Sequence, residues 1–403
     1  MNVTGSIHVL EGLPNPDQTN STQLSEAQLS DHVLMIDPQD AWAEKRYFRL
    51  KFDLFPFSRP PFALRSHVRL QIEGIYQPTH FQVVEIGEFK QPFQLNYILG
   101  SAKAVYQMKP QKHTLHALFI LQDFSDGANV CGTPQALEQL VWTGTQNMRA
   151  GYLEISNNME EIAQNGPQGQ PFSTFRVAGP WQFNFSIYDD CENYLQWRQA
   201  ALEKAILEGF DLSQYGTIVM VHPQPVSCAW AGRATVSNQC DPPGGNLIAP
   251  CLAAMLRCAP FVFMHEIGHN LFLQHAAIDP QDDDIVAVSE TYLDYSCLMG
   301  NYNSWNKLNS IDMMLKGWLG TNSVVYATVP GIYTLSSLDI PTSSATFPQA
   351  IYVEDRPASS TLSSREYVFS MRTPVGYAST LLPEYLNGVN VHKYLQGWMF
   401  FFF

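Results

Sequence analysis

Residues 265–275 read His-Glu-Ile-Gly-His-Asn-Leu-Phe-Leu-Gln-His, and no other stretch restricts the chain so tightly. Two histidines four apart on a helix lie one above the other on the same face, close enough for His265 and His269 to share one metal ion. Glu266 follows the first of them, where its carboxylate reaches a water on the metal rather than the metal itself. Zinc lowers the pKa of such a water to about 7, and the carboxylate can then take its proton as the water attacks a carbonyl. His275 supplies a third nitrogen if the helix ends between 269 and 275, which leaves the fourth position open, as catalytic zinc requires. The apolar run Ala259-Pro-Phe-Val-Phe-Met264 places this helix inside the protein, where three histidines and a carboxylate are hard to explain as packing.

The segment Asp294-Tyr-Ser-Cys-Leu-Met299-Gly300 follows. A methionine so placed can floor a three-histidine site without competing as a ligand, because its thioether is soft and apolar. Cys228-Ala-Trp-Ala-Gly232 stands upstream of the helix, and Asn306 with Lys316-Gly-Trp-Leu319 downstream. Further along come Tyr367-Val-Phe-Ser-Met-Arg-Thr-Pro374 and Gly388-Val-Asn-Val-His392. With the histidine motif, these segments resemble the gametolysin family of zinc metalloproteases, within the metzincins, over roughly residues 113 to 394.

The resemblance implies a zinc endopeptidase of extracellular-matrix or cell-wall glycoproteins, itself extracellular or in the cell wall and monomeric. His265, His269 and His275 would be the ligands, Glu266 the general base and then the proton donor, and Met299 the floor. It also implies that an extended peptide pairs with an exposed edge strand before the zinc helix, for which Ala234-Thr235-Val236 is the candidate. Tyr302 stands near the place of an oxyanion-stabilising tyrosine, with a surface tyrosine as the plainer reading. The pattern departs from the family at Phe272, where metzincins carry a glycine in the left-handed backbone region. Either Phe272 accepts that conformation, at about 1 kcal/mol or more, or the turn shifts, onto Asn270 for instance.

Two other functions remain in view. A gluzincin-type zinc peptidase would take Glu290 as third ligand in place of His275. An inactive zinc-binding adhesion module would keep the metal without the chemistry.

The chain has 403 residues, enough for two or three domains. A net charge of −14 argues against a nucleic-acid partner, which needs a basic stripe. No apolar run reaches the roughly 20 residues that span a bilayer, so stable membrane insertion is not expected. The seven cysteines allow up to three disulfides and one free thiol, or else buried reduced thiols, and the secreted family favours disulfides. Asn2, Asn20 and Asn184 begin N-glycosylation tripeptides. The N-terminus lacks the basic and apolar regions of a signal peptide.

The expected fold is α+β (α/β), a metzincin-like domain with a twisted mixed sheet and active-site helix, between β-rich flanks. Residues 1–112 form an N-terminal β-rich, propeptide-like region, 113–322 the catalytic domain, and 323–403 a C-terminal β-rich domain. Residues 1–44 read as loop. Alternation from Tyr47, from Val68 and from Phe81 predicts strands of a small barrel or sandwich. That region has no cysteine to block a metal. Residues 118–121 and 215–221 predict buried strands, 181–187 a strand, and 134–165 helical material. Asp189 to Gly209 predicts a helix capped by Asp190, with Tyr194, Trp197, Ala201, Ala205 and Ile206 as its apolar stripe. His113 and His116 read as a strand edge, with metal ligation as the alternative. Asp279-Pro-Gln-Asp-Asp-Asp284 reads as a solvated acidic loop, with Ca2+ binding as the alternative. Residues 303–319 predict a helix, and the apolar run 398–403 reads as a truncated end.

Overall fold

The computed structural model describes residues 112–164, 176–236, 251–278, 292–300, 306–320, 322–355, 365–386 and 388–395. It also describes five earlier strands and one at 398–402 as backbone. The early strands are β1 (Asn2–Pro14), β2 (Ser30–Ile36), β3 (Tyr47–Lys51), β4 (Val68–Tyr76) and β5 (Phe81–Glu88). They pair as a closed ring: β1 with β2, β2 with β3, β3 with β5, β5 with β4, and β4 back to β1. β3, β4 and β5 lie where the alternation places them. β1 and β2 correct the reading of 1–44 as loop. Partners on both edges satisfy the backbone of β1, so its polar composition does not prevent a strand.

β6 (His113–Leu115) opens the next unit and pairs with β8 (Glu160–Ile162). The large sheet continues through β7 (Ala117–Asp123), β9 (Val177–Gln182), β10 (Thr217–Val221), β11 (Trp230–Thr235) and β12 (Cys251–Met255). Their spatial order is β11-β12-β10-β7-β9, with β12, β10, β7 and β9 parallel and β11 antiparallel to β12. The central strands are continuous apolar runs because they are covered on both faces, and β7 and β10 are buried almost throughout. The strand expected at 181–187 lies instead at Val177–Gln182. Gly179 and Pro180 read as turn formers, yet the β7–β9 register shifts between Ile120 and Gln122 and accommodates them.

The helices that pack on this frame, among the described residues, are α1 (Pro134–Glu138), α2 (Met148–Ile155), α3 (Tyr194–Leu207), α4 (Pro260–Asn270) and α5 (Ser310–Leu315). α3 starts later than expected, and Asp190 does not cap it; a 3-10 turn at Cys191–Asn193 precedes it. Tyr194, Trp197, Ala201 and Ala205 are buried as expected, but Ile206 is exposed and Leu202 takes its place. Gly209 ends the helix at φ 90°. α5 is a short remnant of the helix expected at 303–319.

A second sheet runs in the order β13 (Ala276–Ile278), β18 (Trp398–Phe402), β17 (Val389–Leu395), β16 (Arg365–Met371), β15 (Ala350–Asp355), β14 (Val324–Tyr326). The apolar run at 398–402 forms β18, paired on both sides. One apolar core contains α4 residues together with Val324, Leu338, Ala350, Tyr352 and Val368 of the C-terminal part. Disulfides join Cys131 to Cys258 and Cys191 to Cys228. Cys251 is also disulfide-bonded, and Cys297 is a buried free thiol. No helix among the described residues is long and apolar enough to cross a membrane.

Candidate metal centre

Pro260 at the first helical position starts α4, where its missing N–H costs nothing. The helix ends in a left-handed cap. Phe272 has φ 68°, its N–H donates to the carbonyl of His269, and Leu273 N–H donates to that of Gly268. These two bonds are the Schellman pattern, with phenylalanine where glycine usually stands. Phe272 therefore accepts the left-handed conformation, and Asn270 remains helical. The Asn270 side chain instead donates to the carbonyls of Thr235 and Leu252, tying the helix end to β11 and β12.

The turn brings His275 back onto α4. One ring nitrogen from each of His265, His269 and His275 lies within 4.8 Å of the others. His269 Nε2 and His275 Nε2 are 3.1 Å apart. His265 Nδ1 lies 3.0 Å from the carbonyl of Leu298, and His269 Nδ1 lies 2.8 Å from that of Leu273. Those carbonyls can only accept, so both Nδ1 atoms carry the proton and both Nε2 atoms present a lone pair. His265 Nε2 is buried without a hydrogen-bond partner among the described residues. Burial holds His265 down to about 4. It also pushes His269 and His275 well below the usual histidine range, with the neighbouring imidazoles adding to the effect. Three neutral, converging imidazoles fit a divalent metal of borderline softness such as zinc. Glu266 is fully buried beside them.

The floor is built from residues 292–300. A Cβ on Gly268 would lie 2.7 Å from Met299 Sδ, so the glycine inside the helix motif is what lets the thioether seat under α4. Leu298 both flanks Met299 and orients His265. Cys297 holds the turn: its sulfur receives the N–H groups of Met299 and Asn309, and its thiol donates to Asp312. Burial raises Asp312 to about 8 and the Cys297 thiol well above its ordinary value. Burial also pushes Asp294 up, but His392 and Ser296 outweigh it and leave that carboxyl below the usual range. Asp294 N–H donates to Ala276, next to His275, and Ala276 N–H donates to Met299. Arg372, from the C-terminal sheet, donates to Ser296 and forms a fully buried pair with Asp339.

Sequence reasoning missed several contributors. The Tyr292 ring packs against His275 with ring centroids 4.0 Å apart and planes tilted by 49°. Lys316 Nζ donates to the carbonyl of Leu271 at the end of α4, which complements the helix dipole. Tyr152 donates to the carbonyl of Met264 just before His265. The Lys-Gly-Trp-Leu segment is a signal for the second, but its role needs the fold. His113 pairs with Glu160 and His116 with Arg176, as strand-edge residues. Glu290, Tyr302 and the acidic run 279–284 lie outside the described residues. Of the candidate substrate edge Ala234-Thr235-Val236, Ala234 and Thr235 end β11, which pairs antiparallel with Leu10–Pro14 of β1 and is therefore not an exposed edge there.

The family model described as Gametolysin peptidase M11 matches residues 166–398, more than half of the chain, including all three histidines, Glu266 and Met299. No curated protein matches the chain.

Proposed function

The chain belongs to the gametolysin peptidase M11 family, and from that premise we propose that it is a zinc-dependent endopeptidase of metzincin type. The observation that carries this reading is the convergence of His265, His269 and His275, with His265 Nε2 buried and without a hydrogen-bond partner among the described residues. These three side chains would hold the zinc, which when bound polarises a peptide carbonyl and acidifies water. The sheet order supports the metzincin assignment, with antiparallel β11 outermost in this unit and α4 following β12. So does the methionine seated beneath the helix.

The chain's own groups supply the rest. Leu298 and Leu273 fix the tautomers of the two helix ligands. Glu266 takes a proton from the attacking water and passes it to the departing amine, so one carboxylate acts first as base and then as acid. An extended substrate pairs antiparallel with β11, in the place now held by Leu10–Pro14 of β1. In this reading β1 must leave before a long substrate enters, and the N-terminal ring is an inhibitory segment that acts by occupancy. Substrates are extracellular-matrix or cell-wall glycoproteins, and the disulfides suit an extracellular setting. The arrangement of His275 favours three histidines over a set completed by Glu290.

The test is metal content and casein cleavage for the parent, Glu266→Gln and His275→Ala, each with and without chelator. Glu266→Gln keeps one zinc per chain and loses at least about 100-fold in kcat. His275→Ala loses zinc affinity. Deleting residues 2–14 raises cleavage of long substrates. Full cleavage by Glu266→Gln, or unchanged zinc affinity in His275→Ala, overturns the reading.

A further inference from the structure

Gly232 ends the Cys-Ala-Trp-Ala-Gly segment, and nothing in the chemistry above uses it. It lies in β11 opposite Met255 of β12. It is not among the glycines with positive φ, so backbone freedom does not explain it. Space does. A Cβ at residue 232 would stand 2.6 Å from Glu266 Cγ, 2.6 Å from its Oε1 and 2.8 Å from its Cδ. Real carbon and oxygen atoms do not approach so closely, so something would have to move.

The backbone on each side is held. β11 pairs with β12 on one edge and with β1 on the other. Asn270 ties the end of α4 to Thr235 of the same strand, and Tyr152 holds α4 at Met264. The Glu266 side chain is the part left to shift. It is fully buried, so it would shift within a packed interior. The neighbours of Gly232 on the strand are large or fill other spaces. The Arg233 guanidinium lies over the rings of Trp230 and Tyr194, which meet edge-on, while Ala231 and Ala234 belong to the apolar core.

We propose that Gly232 is a positioning residue for the general base: its missing side chain is the space in which the Glu266 carboxylate lies, and it sets where that carboxylate stands. The inference rests on Glu266 being the base. It gives the Cys-Ala-Trp-Ala-Gly segment a role in the reaction. The same strand that would pair with substrate also shapes the proton acceptor, so substrate backbone and base are referred to one rigid element. In the present pairing the residue opposite Gly232 is Leu13 of β1.

The test is a cycle of Gly232→Ala, Glu266→Ala and the double variant in the full chain, with zinc as the metal probe. Gly232→Ala keeps one zinc per chain, because no ligand histidine is among the nearest atoms to the added methyl. Its kcat falls at least about 30-fold with KM within about threefold, since a base displaced by about 1 Å fails while binding survives. The acid limb of its pH profile moves, which a general loss of folded protein would not cause. A second readout does not depend on turnover. Gly232→Ala lowers the melting temperature by about 2–6 °C in the parent and by less than about 1 °C in the Glu266→Ala background. If Gly232→Ala alone does not fold, the double variant folds and binds zinc as Glu266→Ala does. A Gly232→Ala protein that cleaves within about threefold of the parent overturns the proposal. So does a thermal penalty that persists undiminished without the Glu266 side chain, or a double variant that fails to fold. Should Glu266→Gln retain cleavage, the functional reading fails, while the thermal cycle still decides whether the two residues compete for one space.

Discussion

Phe272 offers a sharp test of how the third imidazole is delivered. It sits at φ 68°, in a region that costs an ordinary residue about 1–2 kcal/mol. Replacing it with glycine alone would confuse two effects, because the half-buried ring is lost together with the strain. Comparing Phe272→Ala with Phe272→Gly removes the ring from both. Alanine keeps the strain. Glycine relieves it but costs about 0.5–1 kcal/mol more chain entropy on folding. The balance favours glycine by about 0.5–1 kcal/mol. At an exposed helix-interior site the order reverses, and Glu203 in α3 serves as the control, where glycine is less stable than alanine by about 1 kcal/mol. Urea unfolding of the four variants at one fixed zinc concentration reads both differences. Phe272→Pro completes the series. Proline cannot adopt φ 68° and has no N–H for the carbonyl of His269, so His275 loses its turn and zinc affinity falls by about 10–100-fold or more. If Phe272→Gly proves less stable than Phe272→Ala, this position does not carry the left-handed turn and the reasoning fails.

Two further outcomes follow from buried charge and buried imidazole. Arg372→Met removes the guanidinium from the fully buried pair with Asp339 and costs about 3–5 kcal/mol, much of which the double variant Arg372→Met/Asp339→Leu restores. A loss below about 1 kcal/mol in urea unfolding would contradict this. His222 is fully buried, and burial holds it down to about 3. Between about pH 6.5 and 3 the unfolded chain binds that proton and the native chain does not. The contribution of His222 to stability is therefore complete above 6.5 and is lost as pH falls. In His222→Leu the stability-against-pH curve is flatter over this window by up to about 1.4 kcal/mol per pH unit. An unchanged slope would show that His222 is protonated or partnered in the native state.

The parts of the site that lie within a few residues of one another were legible in the sequence. Helical spacing puts His265 and His269 on one face, and Glu266 follows by adjacency. Met299 is marked as a floor by its resemblance to the methionine turn of the family. Phe272 shows where local reasoning stops. The family pattern carries glycine there, and local reasoning leaves open whether Phe272 takes the left-handed conformation or the turn shifts; Phe272 takes it, with the Leu273–Gly268 and Phe272–His269 hydrogen bonds closing the turn. β18 is a second case. Its apolar residues do not read as a strand because the partners, β13 and β17, are not apparent as neighbours in the sequence.

By itself the sequence narrowed the candidates for the centre: three imidazoles suited to a metal and one carboxylate beside them. Those follow from residue types and short-range spacing, whereas Met299 is picked out by its resemblance to the family pattern. Tertiary structure alone decided how the centre is held. Gly232 meets Glu266, Gly268 meets Met299, Lys316 caps α4, and Arg372 grips the turn at Ser296, across separations of tens of residues. Steric fit and buried hydrogen bonding at such range depend on how the chain returns to itself, which residue types and their spacing do not specify.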